Sequence, residues 1–203
     1  MIEAAKTIKK QLLKKGFLLK KEVMSYDTFF EIANHLGTVK TWTDINVDHH
    51  SKALVKTIKP MALHNDCCFR GLVAWFCVEQ DRECGETVLI DTVDLNEYFT
   101  DSEINDLGNI YVYIKGEGHT PLYRDKKVYC VPWAIVPPTS KTLNDVLLKF
   151  KKYLAYKQTK EAIYVRLEPG QSLFIDDNRI LHGRPGLSEG SVRLLKRAWI
   201  EVD

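Results

Sequence analysis

The sequence has no long apolar run. No stretch approaches the roughly 18 uninterrupted apolar residues of a membrane-spanning helix. Its first residues, MIEAAKTIKKQLLKKG, scatter charge where a secretory leader needs an apolar segment. A cytoplasmic protein with no membrane partner is therefore expected. Cysteine is scarce: there are five, an odd number, with no Cys-x-x-Cys pair. That fits reduced thiols better than a disulfide framework or a zinc knuckle. An excess of one charge is missing too. Lys+Arg is 29 and Asp+Glu is 27, which speaks against a nucleic-acid binder. There is no internal repeat, no linker and no nucleophile elbow of the kind serine hydrolases use.

What is there suits one ordinary domain. The chain has 203 residues, 45% of them apolar and 28% charged. A chain of this size buries about 70% of its unfolded surface and folds without staples. Three helices are predicted. One carries Ala5, Ile8 and Leu12 against a solvated lysine face and ends at Gly16. A second runs from Ser25 to Leu36 before Gly37, with Phe29, Ile32, Ala33 and Leu36 on one side. A third covers about 140–155, capped by Ser140, with Leu143, Val146, Leu147, Phe150 and Leu154 in register. Short strands are predicted at Phe17–Leu19, Leu54–Lys59, Leu72–Glu79, Thr87–Ile90, Ile110–Lys115, Lys127–Cys130, Tyr164–Arg166, Ser172–Ile175 and Arg193–Ile200. Strands and helices do not alternate, so a sandwich or barrel is expected rather than a doubly wound sheet.

Three pieces of sequence carry chemistry. His64-Asn-Asp66 spaces an imidazole and a carboxylate two apart, as on one face of a strand. Alone it is a weak signal that a surface hydrogen-bonded pair explains equally well. Further on, Leu173-Phe-Ile-Asp-Asp-Asn-Arg-Ile-Leu-His182-Gly-Arg is a strand, a polar turn and a short apolar return to a histidine. With the first pair it completes two histidines and one carboxylate, a set that leaves coordination positions open and suits non-haem Fe(II). Last, alternation along the final strand puts Arg193, Leu195, Arg197 and Trp199 on one face. A core does not need two arginines; guanidinium is costly to bury without an anion and is shaped to fork a carboxylate.

These pieces occur in one order. His64-x-Asp66 comes first, then Cys77-Val-Glu-Gln-Asp-Arg-Glu-Cys-Gly-Glu-Thr-Val-Leu-Ile-Asp. Leu167-Glu-Pro-Gly-Gln-Ser-Leu-Phe-Ile-Asp-Asp-Asn, His182-Gly-Arg and Arg193 follow. Together, over roughly residues 17–203, they resemble the taurine-dioxygenase-like (clavaminate-synthase-like) Fe(II)/2-oxoglutarate-dependent oxygenases. The resemblance implies a mainly β fold with flanking helices: a double-stranded β-helix, or jelly roll, in one domain. A short insertion or lid is expected at about 92–163. His64, Asp66 and His182 become the implied iron ligands. Arg193, eleven residues after His182, becomes the clamp on the far carboxylate of 2-oxoglutarate, and Thr87 the hydroxyl at its other end. Arg197 matches a position that holds an anionic substrate group in some members, and Trp199 shares its face. Arg184 belongs to a recurrent motif without an assigned role.

The implied activity is a dioxygenase using Fe(II), 2-oxoglutarate and O2, most simply to hydroxylate a C–H bond. Its substrate is expected to be a small anionic metabolite, amino acid or natural-product intermediate, free or held on a carrier protein. A monomer or a homodimer fits equally. Desaturation, cyclisation or halogenation uses the same cofactors, although Asp66 stands where halogenases have a small residue. A metal-binding jelly roll without turnover is the alternative from another class. Plainer readings attach to the remaining residues: Cys67, Cys68, Trp75 and Phe76 as core, and His49, His50 and His119 as loop residues. Tyr123, Arg124 and Trp133 lie in the insertion as candidate lid residues.

Overall fold

The structure, a computed structural model, describes residues 1–48, 50–66, 71–81, 83–114 and 118–202. His49, Cys67, Cys68 and Lys115 lie outside the described residues. In chain order come α1 (Ile2–Lys15), β1 (Phe17–Lys20), α2 (Tyr26–Leu36), β2 (Thr38–Asn46) and β3 (Met61–His64). Then follow β4 (Gly71–Glu79), β5 (Thr87–Asp91), α3 (Leu95–Tyr98), α4 (Asp101–Leu107), β6 (Tyr111–Ile114) and β7 (Gly118–Pro121). β8 (Tyr123–Arg124), β9 (Lys127–Val128), α5 (Lys141–Lys160), β10 (Ile163–Val165), β11 (Ser172–Asp176), β12 (Ile180–Arg184) and β13 (Leu194–Glu201) complete the chain.

The helix ends follow local chemistry. Gly16 takes a left-handed φ of 74° and returns its N–H to the Leu12 carbonyl. Ser25 and Ser140 accept the N–H groups of Thr28 and Leu143, so α2 and α5 begin at side-chain caps. The last helix runs to Lys160, beyond the expected end near 155. Its buried stripe continues through Tyr153 and Lys157, and a lysine hides that continuation from a hydrophobic count. Lys157 is buried because Asp94 at 2.8 Å and Glu161 pair with it.

Two antiparallel sheets form the jelly roll. One has the order β1-β11-β4-β13-β2 and the other β10-β5-β12-β3. Alternation sorts their side chains into layers. Leu72, Ala74 and Phe76 of β4 face outward under α1 and α2. Val73, Trp75 and Cys77 face inward against Leu89, Leu195 and Ile180. A third apolar layer covers the outer face of the smaller sheet, where Val88, Ile90 and Leu181 meet Leu95, Phe99, Leu107 and Phe150.

Some expectations change. Leu54–Lys59 is not a strand: Leu54–Lys56 is a 3-10 turn and irregular chain follows. Its β-branched residues suggest a strand, but the Leu54 and Thr57 carbonyls are taken by Arg184 instead of a ladder. The strand at Lys127–Cys130 shortens to Lys127–Val128. β2, β3, β7, β8 and β12 lie outside the predicted strand spans. β2 reads TVKTWTDIN, too polar for a hydrophobic alternation because it is an edge strand.

Candidate metal centre

His64 closes β3 and His182 lies in the middle of β12. The two are direct partners in the antiparallel register, and their rings stand 4.4 Å apart. Asp66 does not share their strand, as its spacing suggested. β3 ends at His64, and the carboxylate swings back from the following segment. One donor atom from each of His64, Asp66 and His182 lies within 4.8 Å of the other two. His64 donates its Nδ1 proton to the Ala62 carbonyl at 2.9 Å, which leaves Nε2 bare and 3.8 Å from Asp66 Oδ1. That Nε2 is buried with no hydrogen-bond partner among the described residues.

The electrostatics favour ligation. Burial lowers the pKa of both histidines and pushes His182 down to about 3. Both are then neutral, the form that binds metal. Burial alone would raise Asp66, but the Arg197 guanidinium foremost, with the Trp199 N–H, holds the carboxyl below its ordinary range. The donor set fits a divalent iron: two neutral imidazoles and one carboxylate, buried on one side.

Asp66 is held firmly. Trp199 donates its indole N–H to Oδ2 at 2.6 Å, and Arg197 donates to the same oxygen at 3.2 Å. The Arg197 guanidinium lies over the Trp199 ring, 4.5 Å from its centre. The inward face of β13 thus carries Leu195, Arg197 and Trp199 as alternation requires. The structure places the latter two on Asp66.

A pocket between the sheets runs from His64 and His182 past Thr87, Gly183 and Trp75 to Arg193. Arg193 is 6% exposed, and its Nε has no partner among the described residues. Burial, and then the nearby Arg184, push its pKa down to about 10. A buried guanidinium without an anion is costly, which makes Arg193 a candidate for holding one at this end of the pocket. Arg184 is engaged already, donating to the carbonyls of Leu54, Thr57 and Pro185.

On the other side of the metal site a cleft of about 650 Å³ opens. Lys52, Leu54, Val55, Met61, Tyr113 and Trp133 line it, and it reaches His64, Asp66 and Arg197. The Trp133 ring is 5.2 Å from that of His64. The other candidate lid residues sit elsewhere. Tyr123 bonds Asn96, and Arg124 lies over the Tyr129 ring. His119 packs on Tyr113 and Tyr111, and His50 is exposed in a turn.

No protein-family model matches the chain, and no curated protein matches it. Solved structures do. Asparagine oxygenase in complex with Fe(II), 2S,3S-3-hydroxyasparagine and succinate superimposes with a TM-score of 0.78 at 14% identity. The match covers 100% of this chain and 79% of that one. This chain has the jelly-roll fold of the non-haem iron oxygenases. OrfP in complex with Fe and alpha-ketoglutaric acid gives a TM-score of 0.77 at 15% identity, covering 99% of this chain and 80% of OrfP.

Sequence reasoning passed over three kinds of residue. Lys52 and Tyr113 line the cleft but lie in segments without a motif. Asn65 stood unremarked between two singled-out neighbours. Asp177 is buried beside the candidate metal ligands, and alternation offered the signal: Leu173 and Ile175 face inward, and the next position on that side is Asp177.

Proposed function

We propose that the protein is an Fe(II)/2-oxoglutarate-dependent dioxygenase that hydroxylates a C–H bond of a small molecule of the amino-acid class. One observation carries this reading. His64 and His182, with Asp66 within reach of both, share one pocket between the sheets with a buried Arg193 whose Nε has no hydrogen-bond partner among the described residues. His64, Asp66 and His182 would hold the iron. Bound iron would supply the activation of O2, coupled to conversion of 2-oxoglutarate to succinate and CO2.

The chain's own residues bind and orient. Arg193 forks the distal carboxylate of 2-oxoglutarate from the closed end of the pocket. Thr87 offers its hydroxyl on the same wall. Arg197 and Trp199 hold Asp66 in its ligating orientation, and the Arg197 charge also draws an anionic substrate group towards the metal. Substrate enters by the open cleft, with its apolar part against Trp133 and Tyr113 and Lys52 at the rim. The inner-face side chains of Trp75, Ile45 and Met61 keep bulk water from the pocket. The complexes of asparagine oxygenase with 2S,3S-3-hydroxyasparagine and of OrfP with (3S)-hydroxy-L-Arg support the amino-acid class.

The test is an anaerobic titration of apoprotein with Fe(II) and then 2-oxoglutarate. A weak visible charge-transfer band is expected, lost in His64→Ala and Asp66→Ala. Release of succinate under O2 should follow when an amino-acid panel is added. A folded protein that binds iron but gives no band overturns the assignment.

A further inference from the structure

Asp177 is 4% exposed in the turn after β11, and the chemistry described so far gives it no task. Its Oδ2 accepts the backbone N–H of Asp66 at 2.9 Å. Its Oδ1 stands 3.5 Å from Nδ1 of His182. Neither of those last two atoms has a hydrogen-bond partner among the described residues. A buried acceptor thus faces a buried ring nitrogen. A histidine that ligates through Nε2 carries its proton on Nδ1, and that proton needs an acceptor. His64 has the Ala62 carbonyl. For His182 the carboxylate of Asp177 is in position.

The backbone at Asp177 is fixed as well. Its N–H donates to the Gly71 carbonyl at 3.1 Å. Its own carbonyl accepts from the Asn65 side chain at 3.2 Å. Asn65 is the residue between the two ligands His64 and Asp66. It is itself locked, accepting the Cys130 N–H at 2.9 Å and donating to the Val128 carbonyl at 2.5 Å. The turn that carries Asp177 is therefore tied to the segment that carries both other ligands.

We infer that Asp177 is a positioning residue for the metal centre. One oxygen sets the backbone of Asp66, and the other accepts the Nδ1 proton of His182 and fixes its ring plane. A single side chain would then orient two of the three ligands. The inference rests on metal binding by His64, Asp66 and His182, the first half of the reading above, and does not need 2-oxoglutarate.

Apoprotein is titrated anaerobically with Co(II), a visible probe for this site, in four forms: wild type, Asp177→Asn, His182→Ala and the double variant. Asn keeps an oxygen for the Asp66 N–H but lacks the carboxylate that His182 needs. Asp177→Asn is expected to bind Co(II) about 10- to 100-fold more weakly, the usual range for a lost partner of a metal-bound histidine. Its d–d bands should change while the metal-free melting temperature stays. In the His182→Ala background the same change should lose most of its effect. Wild-type affinity, or an equal loss in both backgrounds, overturns the proposal. Should Asp177→Asn fail to fold, nitrogen-15 histidine spectra of Zn(II)-loaded wild type decide. A slowly exchanging Nδ1 proton on His182 is expected, and exchange at the solvent rate overturns it. Wild type that binds Co(II) but never turns over 2-oxoglutarate with Fe(II) sinks the oxygenase reading alone, because the Asp177 comparison is read without turnover.

Discussion

Trp199 donates its indole N–H to Oδ2 of Asp66 at 2.6 Å, across the gap between the last strand and the segment after β3. The ring also carries the Arg197 guanidinium. Trp199→Phe keeps the packing and removes the donor. Hydrogen bonds to charged groups contribute about 1.5–3 kcal/mol, so Fe(II) or Co(II) affinity should fall roughly tenfold or more. A competition titration against a metal chelator measures it. Unchanged affinity would show that the indole N–H is dispensable.

Arg193→Lys retains a charge and loses the fork. The concentration of 2-oxoglutarate needed for half-maximal succinate release should rise at least tenfold, with turnover recovering at saturation. Steady-state kinetics against 2-oxoglutarate give the answer. Saturation at the wild-type concentration would remove Arg193 from the clamp.

The metal-free protein should weaken in acid. The folded-state pKa of His182 is about 3, whereas an unfolded histidine titrates near ~6.5. Between those values the unfolded chain binds the proton and the folded chain does not. Stability must therefore fall as pH drops through that window. Urea denaturation at a series of pH values should show the decline, and His182→Gln should flatten it. A slope that the variant leaves untouched would assign the acid sensitivity elsewhere.

Arg184 spends its guanidinium on the carbonyls of Leu54, Thr57 and Pro185. Arg184→Ala removes the donor from the half-buried Leu54 and Thr57 carbonyls, at about 1 kcal/mol for each lost hydrogen bond. A lower melting temperature and faster protease cleavage within residues 50–60 are expected. If neither changes, water replaces the guanidinium and the residue does not hold the turn.

Trp133→Ala should act on substrate alone. Its ring borders the cleft and not the Arg193 pocket. Substrate concentration dependence should shift while the charge-transfer band with 2-oxoglutarate stays. A lost band would place Trp133 in the metal site's support.

Much of this was legible in the chain because periodicity and register obey simple geometry. The Phe29, Ile32, Ala33, Leu36 stripe and its Ser25 cap lie where the sequence puts them. So does the inward face Leu195, Arg197, Trp199, since a strand alternates whatever its neighbours do. Three things were not legible. The Asp66 carboxylate reaches His64 from the irregular chain after β3 and not by strand alternation. The Leu54–Lys59 segment has β-branched residues, yet a distant arginine settles its shape. The buried Lys157 looks like solvated charge until Asp94, 63 residues earlier, comes to meet it. Each depends on partners far away in sequence: Arg197 and Trp199 for Asp66, Arg184 for the Leu54 segment and Asp94 for Lys157.

The direct pairing of His64 with His182 makes strand alignment a form of proofreading. A strand that slips by one residue turns every side chain to the opposite face. Such a slip between β3 and β12 would point one imidazole into the apolar layer that holds Leu63 and Leu181. Only the native alignment sets both rings directly opposite each other on the same side. Metal would bind that alignment and no other, so its binding energy would count against misfolded pairings, and a metal-loaded preparation is one in which every molecule has zipped correctly.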